Sequence, residues 1–576
     1  MGADFNGRAC HSLGARHSSG ALFVDRKADE RHRSGALPAE ELGPLGSTRK
    51  VGAYGRLAPV LCFALLSAGC MVGPDYRRPP PASPPTAHFK EAVAEVAPGT
   101  NIPFRPAMPR DDIDRGAWWT MYGDRELDRL AAQIDISNQT LRQSEAAYRQ
   151  ARALVRQDIS GLYPTIAGTG SAQQTGTGNQ RGSGGTTVLV NTGTGQFTSS
   201  VGQFSTGASL GWEIDLWGRI RRQIESDSAA AQASYSDLAS ARLSAQADLV
   251  ISYYSLRISD ERIRIFQATV TAYARAVQIV QNQVDAGIVS KVDLVQAQTQ
   301  LEQTRSQLVA EGITRAQFEH AIAVLMGRAP AELSVAPAPL PSTVPTVDSG
   351  VPSALLERRP DIAGAERRMA AANAQIGVAQ AAYYPTISLN AALTFLNAGV
   401  ANLLQIGSAV WSVGPQLAGT LLDGGALKAQ VEGARAAYDG QVAAYRQTIL
   451  VAFQQVEDAL VQQRILVQQE QIQRAAVAAA RDAERLSLNQ YRIGTVPYTT
   501  VVQTQTAALA AEQTLLSVRL NRLVASANLV KALGGGWRDT DLPAPTPIGG
   551  IDQTPQPAVP PPATQPPPRQ WWQVFR

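Results

Sequence analysis

Histidine and cysteine are nearly absent from this 576-residue chain, which carries five of the first and three of the second. His11, His17 and His32 all lie far ahead of Cys70, leaving His88 in a Pro-rich stretch and His320 after Phe318-Glu319 in a helical pattern. A lone imidazole in either setting is a surface or packing residue rather than a metal ligand. No Cys-His cluster, Walker-type glycine loop or nucleophile elbow is present, and the Gly424-Gly425 pair reads as a turn. An enzyme, a bound cofactor and a metal centre are therefore not expected. Charged residues make up 17% of the chain and aromatics 6%, with a formal net charge of +4. No basic stripe interleaved with aromatics follows a phosphate backbone, so nucleic acid is not an expected partner. Long apolar runs are missing too: Leu57 to Leu66 spans about ten residues, against the roughly 20 that a spanning helix needs.

What surrounds that short run is informative. Arg49, Lys50 and Arg56 precede it and Ser67-Ala68-Gly69-Cys70 follows, the order of a secretory n-region, h-region and small-residue cleavage site. Leu66-Ser67-Ala68-Gly69-Cys70 resembles the bacterial lipobox, in which the cysteine is acylated and becomes the first mature residue. Met71 follows it where an inner-membrane lipoprotein would carry Asp, which favours the outer membrane. Cys10 and Cys62 are removed with such a signal, so no disulfide is available to the mature chain. Residues 1–48 read as a mis-called or disordered extension and 49–69 as the signal peptide. Met1-Gly2 begins a myristoylation pattern that Asn6 breaks.

The remainder is one unit written twice. Leu162-Tyr163-Pro164-Thr165-Ile166 returns as Tyr383-Tyr384-Pro385-Thr386-Ile387, an offset of about 221 positions. Gly287-Ile288-Val289 and Val295-Gln296-Ala297-Gln298-Thr299 return as Gly494-Thr495-Val496 and Val502-Gln503-Thr504-Gln505-Thr506, an offset of about 207. The first unit covers residues 120–327 and the second 357–534. Around them lie a mature N-terminal linker at 70–119, a second linker at 328–356 and a Pro-rich tail at 535–576.

Each unit begins as helix, over Glu126 to Ser160 and Asp361 to Ala382, ending near a Tyr-Pro where the residue before proline leaves the helical region. The period then changes to two. Phe204, Thr206, Ala208, Leu210, Trp212 and Ile214 alternate with Ser205, Gly207, Ser209, Gly211, Glu213 and Asp215. Ile387 to Leu393 and Trp411 to Leu417 alternate likewise, and Thr165 to about Ser171 is a weaker strand blurred by glycine. Long helices follow, over Arg219 to Ala286, Ile288 to Met326, Gln441 to Ile493 and Tyr498 to Leu533. The first of these contains no Gly or Pro over about 68 residues, roughly 100 Å at 1.5 Å per residue. Ala229, Ala233, Ala241 and Ala245 allow close helix approach. Four amphipathic strands cannot close a membrane barrel, and open edges in lipid would leave backbone groups unsatisfied, so the chain is expected to oligomerise.

Cys70 to Tyr76 (CMVGPDY), Trp118-Trp119, Leu356 to Ile362 (LERRPDI), Ala371 to Gln380 (AANAQIGVAQ), Tyr384-Pro385, Tyr491 to Thr495 (YRIGT) and Lys531 to Trp537 (KALGGGW) together resemble the TolC-like outer-membrane factors, specifically the NodT-type efflux lipoproteins. The resemblance implies a mixed α and β membrane protein: a homotrimer whose four strands per chain make a 12-stranded outer-membrane β-barrel above a long periplasmic α-helical barrel. It implies an exit duct in outer-membrane lipid, docked to a periplasmic adaptor and an inner-membrane pump of the RND type. The alternative reading is a structural or adaptor coiled-coil lipoprotein without a pore.

Site residues follow from the same resemblance. Cys70 is the lipidation position. Ala286, Gly287, Ile288, Ile493, Gly494 and Thr495 match the helix turns that form an adaptor-docking tip. In related channels the inner helix beyond the second turn carries aspartates that ring a closed aperture. Here Thr500 and Gln503 stand at those places, with Asp293 at the first-repeat equivalent of Thr500, so the expected periplasmic gate is Thr500, Gln503 and Tyr491 with Asp293 supplying the only acidic field. Trp118 and Trp119 read as packing aromatics, and Glu357-Arg358-Arg359-Pro360-Asp361 as a charged linker entering a helix.

Overall fold

The computed structural model describes residues 71–81, 89–91, 116–176, 200–341, 344–345, 358–397 and 404–544. Cys70, the signal segment, His88, most of the 535–576 tail and the loops at 177–199 and 398–403 lie outside them.

The elements run α1 (Arg125–Ser137), α2 (Gln139–Ser160), β1 (Thr165–Gly176), β2 (Ser200–Ile214), α3 (Arg219–Asp285), α4 (Lys291–Leu325), α5 (Pro360–Ala381), β3 (Thr386–Asn397), β4 (Ala409–Ala418), α6 (Ala426–Arg492) and α7 (Tyr498–Ala532). The repeat is exact in length where it matters: α3 and α6 have 67 residues each, and α4 and α7 have 35 each. At 1.5 Å per residue the longer pair extends about 100 Å. Each long helix turns back into its shorter partner, giving two antiparallel hairpins with α5 packed against both α3 and α6.

Three expectations need correction. The helix read from Glu126 to Ser160 is two helices, because Asn138 leaves helical geometry and its side chain caps the Leu141 N–H at 3.0 Å. Its Nδ2 also donates to the Leu325 carbonyl at 2.7 Å, so the break is where α4 ends against it. α6 begins at Ala426 rather than Gln441, running straight through Gly433 and Gly440. A glycine costs a helix about 1 kcal/mol, which a helix this long absorbs. Finally, Arg359 is not a solvated linker residue. Only 6% exposed, it donates to the Asp361 carboxylate at 2.6 and 3.0 Å, the Ala532 carbonyl at 2.8 Å and Gln455 at 2.9 Å.

The four strands make one antiparallel sheet in the order β1-β2-β3-β4. β1 extends to Gly176, past the weak alternation of its sequence, because β2 continues to pair with it there. The core sits midway along the helices. Trp118, Trp119, Tyr122, Leu130, Tyr253, Tyr254, Met326 and Leu523 are buried together, and the Trp118 indole donates to Gln246 at 3.2 Å. Glycine closes the same joint in both repeats: a Cβ on Gly327 would lie 2.0 Å from the Ser137 carbonyl oxygen, and one on Gly534 2.0 Å from that of Arg358. No helix among the described residues is long and apolar enough to cross a membrane.

Candidate functional site: a two-faced sheet and a helical tip

Residues opposite one another in the ladder share a face of the sheet. Ile166, Leu210, Ala391 and Val413 form one row across all four strands, and Leu393 and Trp411 continue that face through Ala208. Trp411 and Val413 are 73% and 64% exposed, so this apolar surface is bare in the single chain. The opposite face carries Ala167, Ser209, Ala392 and Ser412 in one row and Thr165, Gly211, Asn390 and Gly414 in the next. Hydrogen bonds tie its polar groups: Asn390 Nδ2 donates to Gln416 at 3.0 Å, and the Ser171 and Ser205 hydroxyls meet at 2.7 Å. A sheet apolar on one side and hydroxyl- and amide-lined on the other suits lipid outside and water inside. The Glu213 carboxylate at the foot of β2 is held by Arg219 at 2.8 to 3.1 Å. Trp212, on the apolar face, donates its indole N–H to the Leu162 carbonyl at 3.0 Å, the amphipathic placement of an interfacial tryptophan.

Just below the sheet, the segment after Cys70 is laid into a prepared groove. The Val72 N–H donates to the Trp217 carbonyl at 3.1 Å, and Arg222 donates to Val72 O, Gly73 O and Asp75 at 3.2, 3.2 and 2.8 Å. Asn373 Nδ2 reaches the Pro74 carbonyl at 2.9 Å. The chains come so close that a Cβ on Gly73 would stand 2.5 Å from Gly377 Cα. The CMVGPDY and AANAQIGVAQ motifs are therefore two sides of one contact.

At the far ends of the helices, both turns are built alike. Gly287 has φ 71° and Gly494 φ 76°, the left-handed region that favours glycine. Ile288 N–H returns to Gln283 O at 2.8 Å and Gly287 N–H to Val284 O at 2.9 Å. Thr495 N–H returns to Gln490 O at 3.0 Å and Gly494 N–H to Tyr491 O at 2.9 Å, the same paired closure of a helix end. Nothing in the chain lies within 4 Å of where a Cβ would stand on either glycine. Ile288 and Ile493 beside them are 70% and 75% exposed. The return helix α4 is capped by Ser290, whose Oγ accepts from the Val292 N–H at 3.0 Å.

Behind these turns the two hairpins share one apolar cluster, with Val280 and Leu294 from the first and Tyr491, Tyr498 and Val501 from the second. Tyr491 and Tyr498 meet edge to face with centroids 5.0 Å apart. Burial, then the nearby Asp293 carboxylate, push the Tyr491 phenol above its ordinary pKa; burial, then Tyr491 and Asp293, push Tyr498 up to about 12. The Tyr491 hydroxyl is buried without a hydrogen-bond partner among the described residues. Of the four residues expected at a gate, the fold thus brings Tyr491 and Asp293 together across the two hairpins. Thr500 is half-buried and Gln503 exposed, one turn apart on α7. Sequence reasoning missed Tyr498, although an aromatic at the first position of the helix after the Gly494 turn, next to Pro497, was the available signal. His320 is exposed, and no group of three His, Cys, Asp or Glu residues among the described residues could hold a metal ion.

The family model for outer membrane efflux proteins matches residues 130–328 and 351–535. The chain belongs to the outer membrane efflux protein family. This efflux protein is 31% identical to the toluene efflux pump outer membrane protein TtgC of Pseudomonas putida over 82% of its own length and 94% of that protein. It is 27% identical to the cation efflux system protein CusC of Escherichia coli over 83% of its length and 98% of that protein. The solved structure of the outer-membrane channel OprN superposes with a TM-score of 0.70 at 28% identity, covering 81% of this chain and all of that one. The fold is thus that of the TolC-like outer-membrane channels, and the protein is an outer-membrane component of an efflux pump with a periplasmic helical portion.

Proposed function

We propose that three copies of this efflux protein close a 12-stranded barrel and act as a passive exit duct, fed by an RND-type inner-membrane pump through a periplasmic adaptor. The observation that carries this reading is the four-stranded sheet with one apolar and one polar face and two unpaired edges. Unpaired backbone groups in lipid cost several kcal/mol each, and only closure by further copies removes them. A coiled-coil lipoprotein without a pore would have no use for such a sheet. Catalysis has no part in the reading: the duct supplies a polar bore, and energy coupling lies in the pump. Relatives named for toluene and for cation efflux share the architecture, in keeping with substrate choice made elsewhere.

Cys70 is the acylated anchor in this reading. Support comes from the docking of Val72 on Trp217, which holds the residues after Cys70 beside the end of β2, where an acyl chain would enter the bilayer. The exposed turns Ala286-Gly287-Ile288 and Ile493-Gly494-Thr495 are the adaptor-docking surface. Thr500, Gln503, Tyr491 and Asp293 form the gate, with Tyr491 packed edge to face on Tyr498 behind the exposed Gln503.

Planar-bilayer recording of the purified protein tests the channel, and fatty-acid labelling in the presence and absence of globomycin tests the anchor. Discrete conductance steps and Cys70-dependent labelling are expected. A protein that forms no conducting species, or a Cys70→Ser variant that labels equally, overturns the respective part.

A further inference from the structure

The internal repeat says how the next copy is placed. Thr165 and Thr386 each donate Oγ1 to the carbonyl of the residue opposite, Gly211 at 3.1 Å and Ala418 at 3.3 Å. Gly218 and Gly425, both left-handed, cap α3 and α6. These pairs fix the correspondence, Thr165 to Thr386 for the first strands and Gly211 to Ala418 for the second. Within the chain the second strand of repeat one pairs with the first strand of repeat two, and Ile214 stands opposite Ile387. Moved on by one repeat, that pair becomes Leu421 opposite Ile166 of another copy.

Both members of this implied pair are bare. Leu421 is fully exposed at 101% and Ile166 is 76% exposed, whereas Ile214 and Ile387 are half-buried. Strand lengths agree. β2 runs to Ile214 because β3 pairs with it, while β4 stops at Ala418, three residues short of the corresponding point. A glycine supplies an independent sign. A Cβ on Gly207 would stand 2.5 Å from the Leu393 carbonyl oxygen and 2.9 Å from Thr394 Cα in the adjoining strand. The corresponding Gly414 has nothing within 4 Å of such an atom. The second repeat keeps the glycine at a place where its own chain leaves open space.

We propose that a second copy of this chain lays its β1 along β4 in the register that opposes Leu421 to the partner subunit's Ile166 and Gly414 to the partner subunit's Gln173, extending β4 through Leu421. This rests on the oligomeric barrel proposed above and adds its register. The contact reproduces between chains the packing that β2 and β3 make within one, with a cross-strand aliphatic pair at its foot.

Directly opposed residues have Cβ atoms about 4.5–5.5 Å apart, within reach of a disulfide after modest adjustment. The experiment is oxidative crosslinking of the full chain in outer membranes, with native mass measurement in detergent. Leu421→Cys combined with Ile166→Cys should convert most of the protein to species of two and three linked chains. Leu421→Cys with Gly168→Cys, Gly419→Cys with Ile166→Cys, and each single variant should stay at background. Preferential linkage of a shifted pair would overturn the register and leave the oligomer standing. A monomeric mass with no linkage in any pair would overturn both, and linkage of Leu421→Cys to a different protein would put another occupant on the edge. Gly414→Val should reduce the oligomer at least tenfold although a Cβ on Gly414 would meet nothing within 4 Å in its own chain, and unchanged oligomer would refute the close approach.

Discussion

Trp217, from the end of the first repeat's strand pair, stacks on Tyr384, from the start of the second's, with ring centroids 4.7 Å apart and planes 22° from parallel. Its indole N–H also donates to the Pro385 carbonyl at 2.8 Å. The two repeats are thus joined directly beneath the sheet by one residue. An aromatic stack contributes about 0.5–1.5 kcal/mol beyond area burial, and a hydrogen bond about 1 kcal/mol net. Trp217→Phe should keep the first and lose the second, while Trp217→Ala loses both. Thermal unfolding in detergent should therefore rank wild type above Trp217→Phe above Trp217→Ala, and equal melting of the two variants would remove the stack from the account.

The faces of the sheet predict opposite outcomes one residue apart. Leu210→Arg puts a guanidinium in lipid and should destabilise each chain by about 2–4 kcal/mol, whereas Ser209→Arg should leave assembly intact and change conductance. Yield of folded protein and single-channel recording separate the two. Labelling of Cys variants at 209 and 211, but not 210 and 212, by a lipophilic maleimide would reverse the faces.

At the tip, Gly494 is held in the left-handed region over open space. Gly494→Val forces a branched residue there at about 1–2 kcal/mol, which a helix pair of this size tolerates. Assembly should survive with adaptor crosslinking and efflux lost, while Gly494→Asn, better suited to that conformation, should retain part of both. Unchanged adaptor crosslinking in Gly494→Val would mean that this glycine only ends a helix.

Cation block tests the gate. If Thr500, Gln503, Tyr491 and Asp293 form the gate, Asp293 is the one carboxylate among those four, so divalent block should be weak in wild type, weaker in Asp293→Asn and stronger in Gln503→Asp. Strong block in wild type that persists in Asp293→Asn, with no gain in Gln503→Asp, would place the constriction elsewhere.

Where α2 meets α3, Asp158 and Asp227 lie side by side, and Gln223 Nε2 donates to Asp227 at 2.7 Å. Burial, then the hydrogen bond and charge of Asp227, push Asp158 up to about 7, with Gln223 opposing the shift. The folded chain therefore holds a proton that an unfolded Asp releases near pH 4. This contribution to stability is full below about pH 4 and is lost as pH rises towards 7. Melting temperature should fall from pH 5 to pH 8 in wild type and fall less in Asp158→Asn. Parallel profiles would show that the pair carries no proton.

Local order was written in the residues themselves. A run without Gly or Pro set α3, Gly287 and Gly494 set the turns that end α3 and α6, and alternation at Phe204 to Ile214 and Ile387 to Leu393 set which side chains share a face, because helix and strand periodicities are properties of a few adjacent residues. The same repeat offsets that are visible in the chain reappear as equal helix lengths. Contacts distant in sequence were not legible in this way. Only the tertiary structure decides that α4 ends on Asn138 and breaks a helix there, that Arg359 is buried on the end of α7, that β1 runs on to Gly176 against β2, and that Val72 and Gly73 lie on Arg222 and Gly377. Each depends on two surfaces meeting with their hydrogen bonds satisfied, and that complementarity belongs to the packed pair rather than to either segment alone.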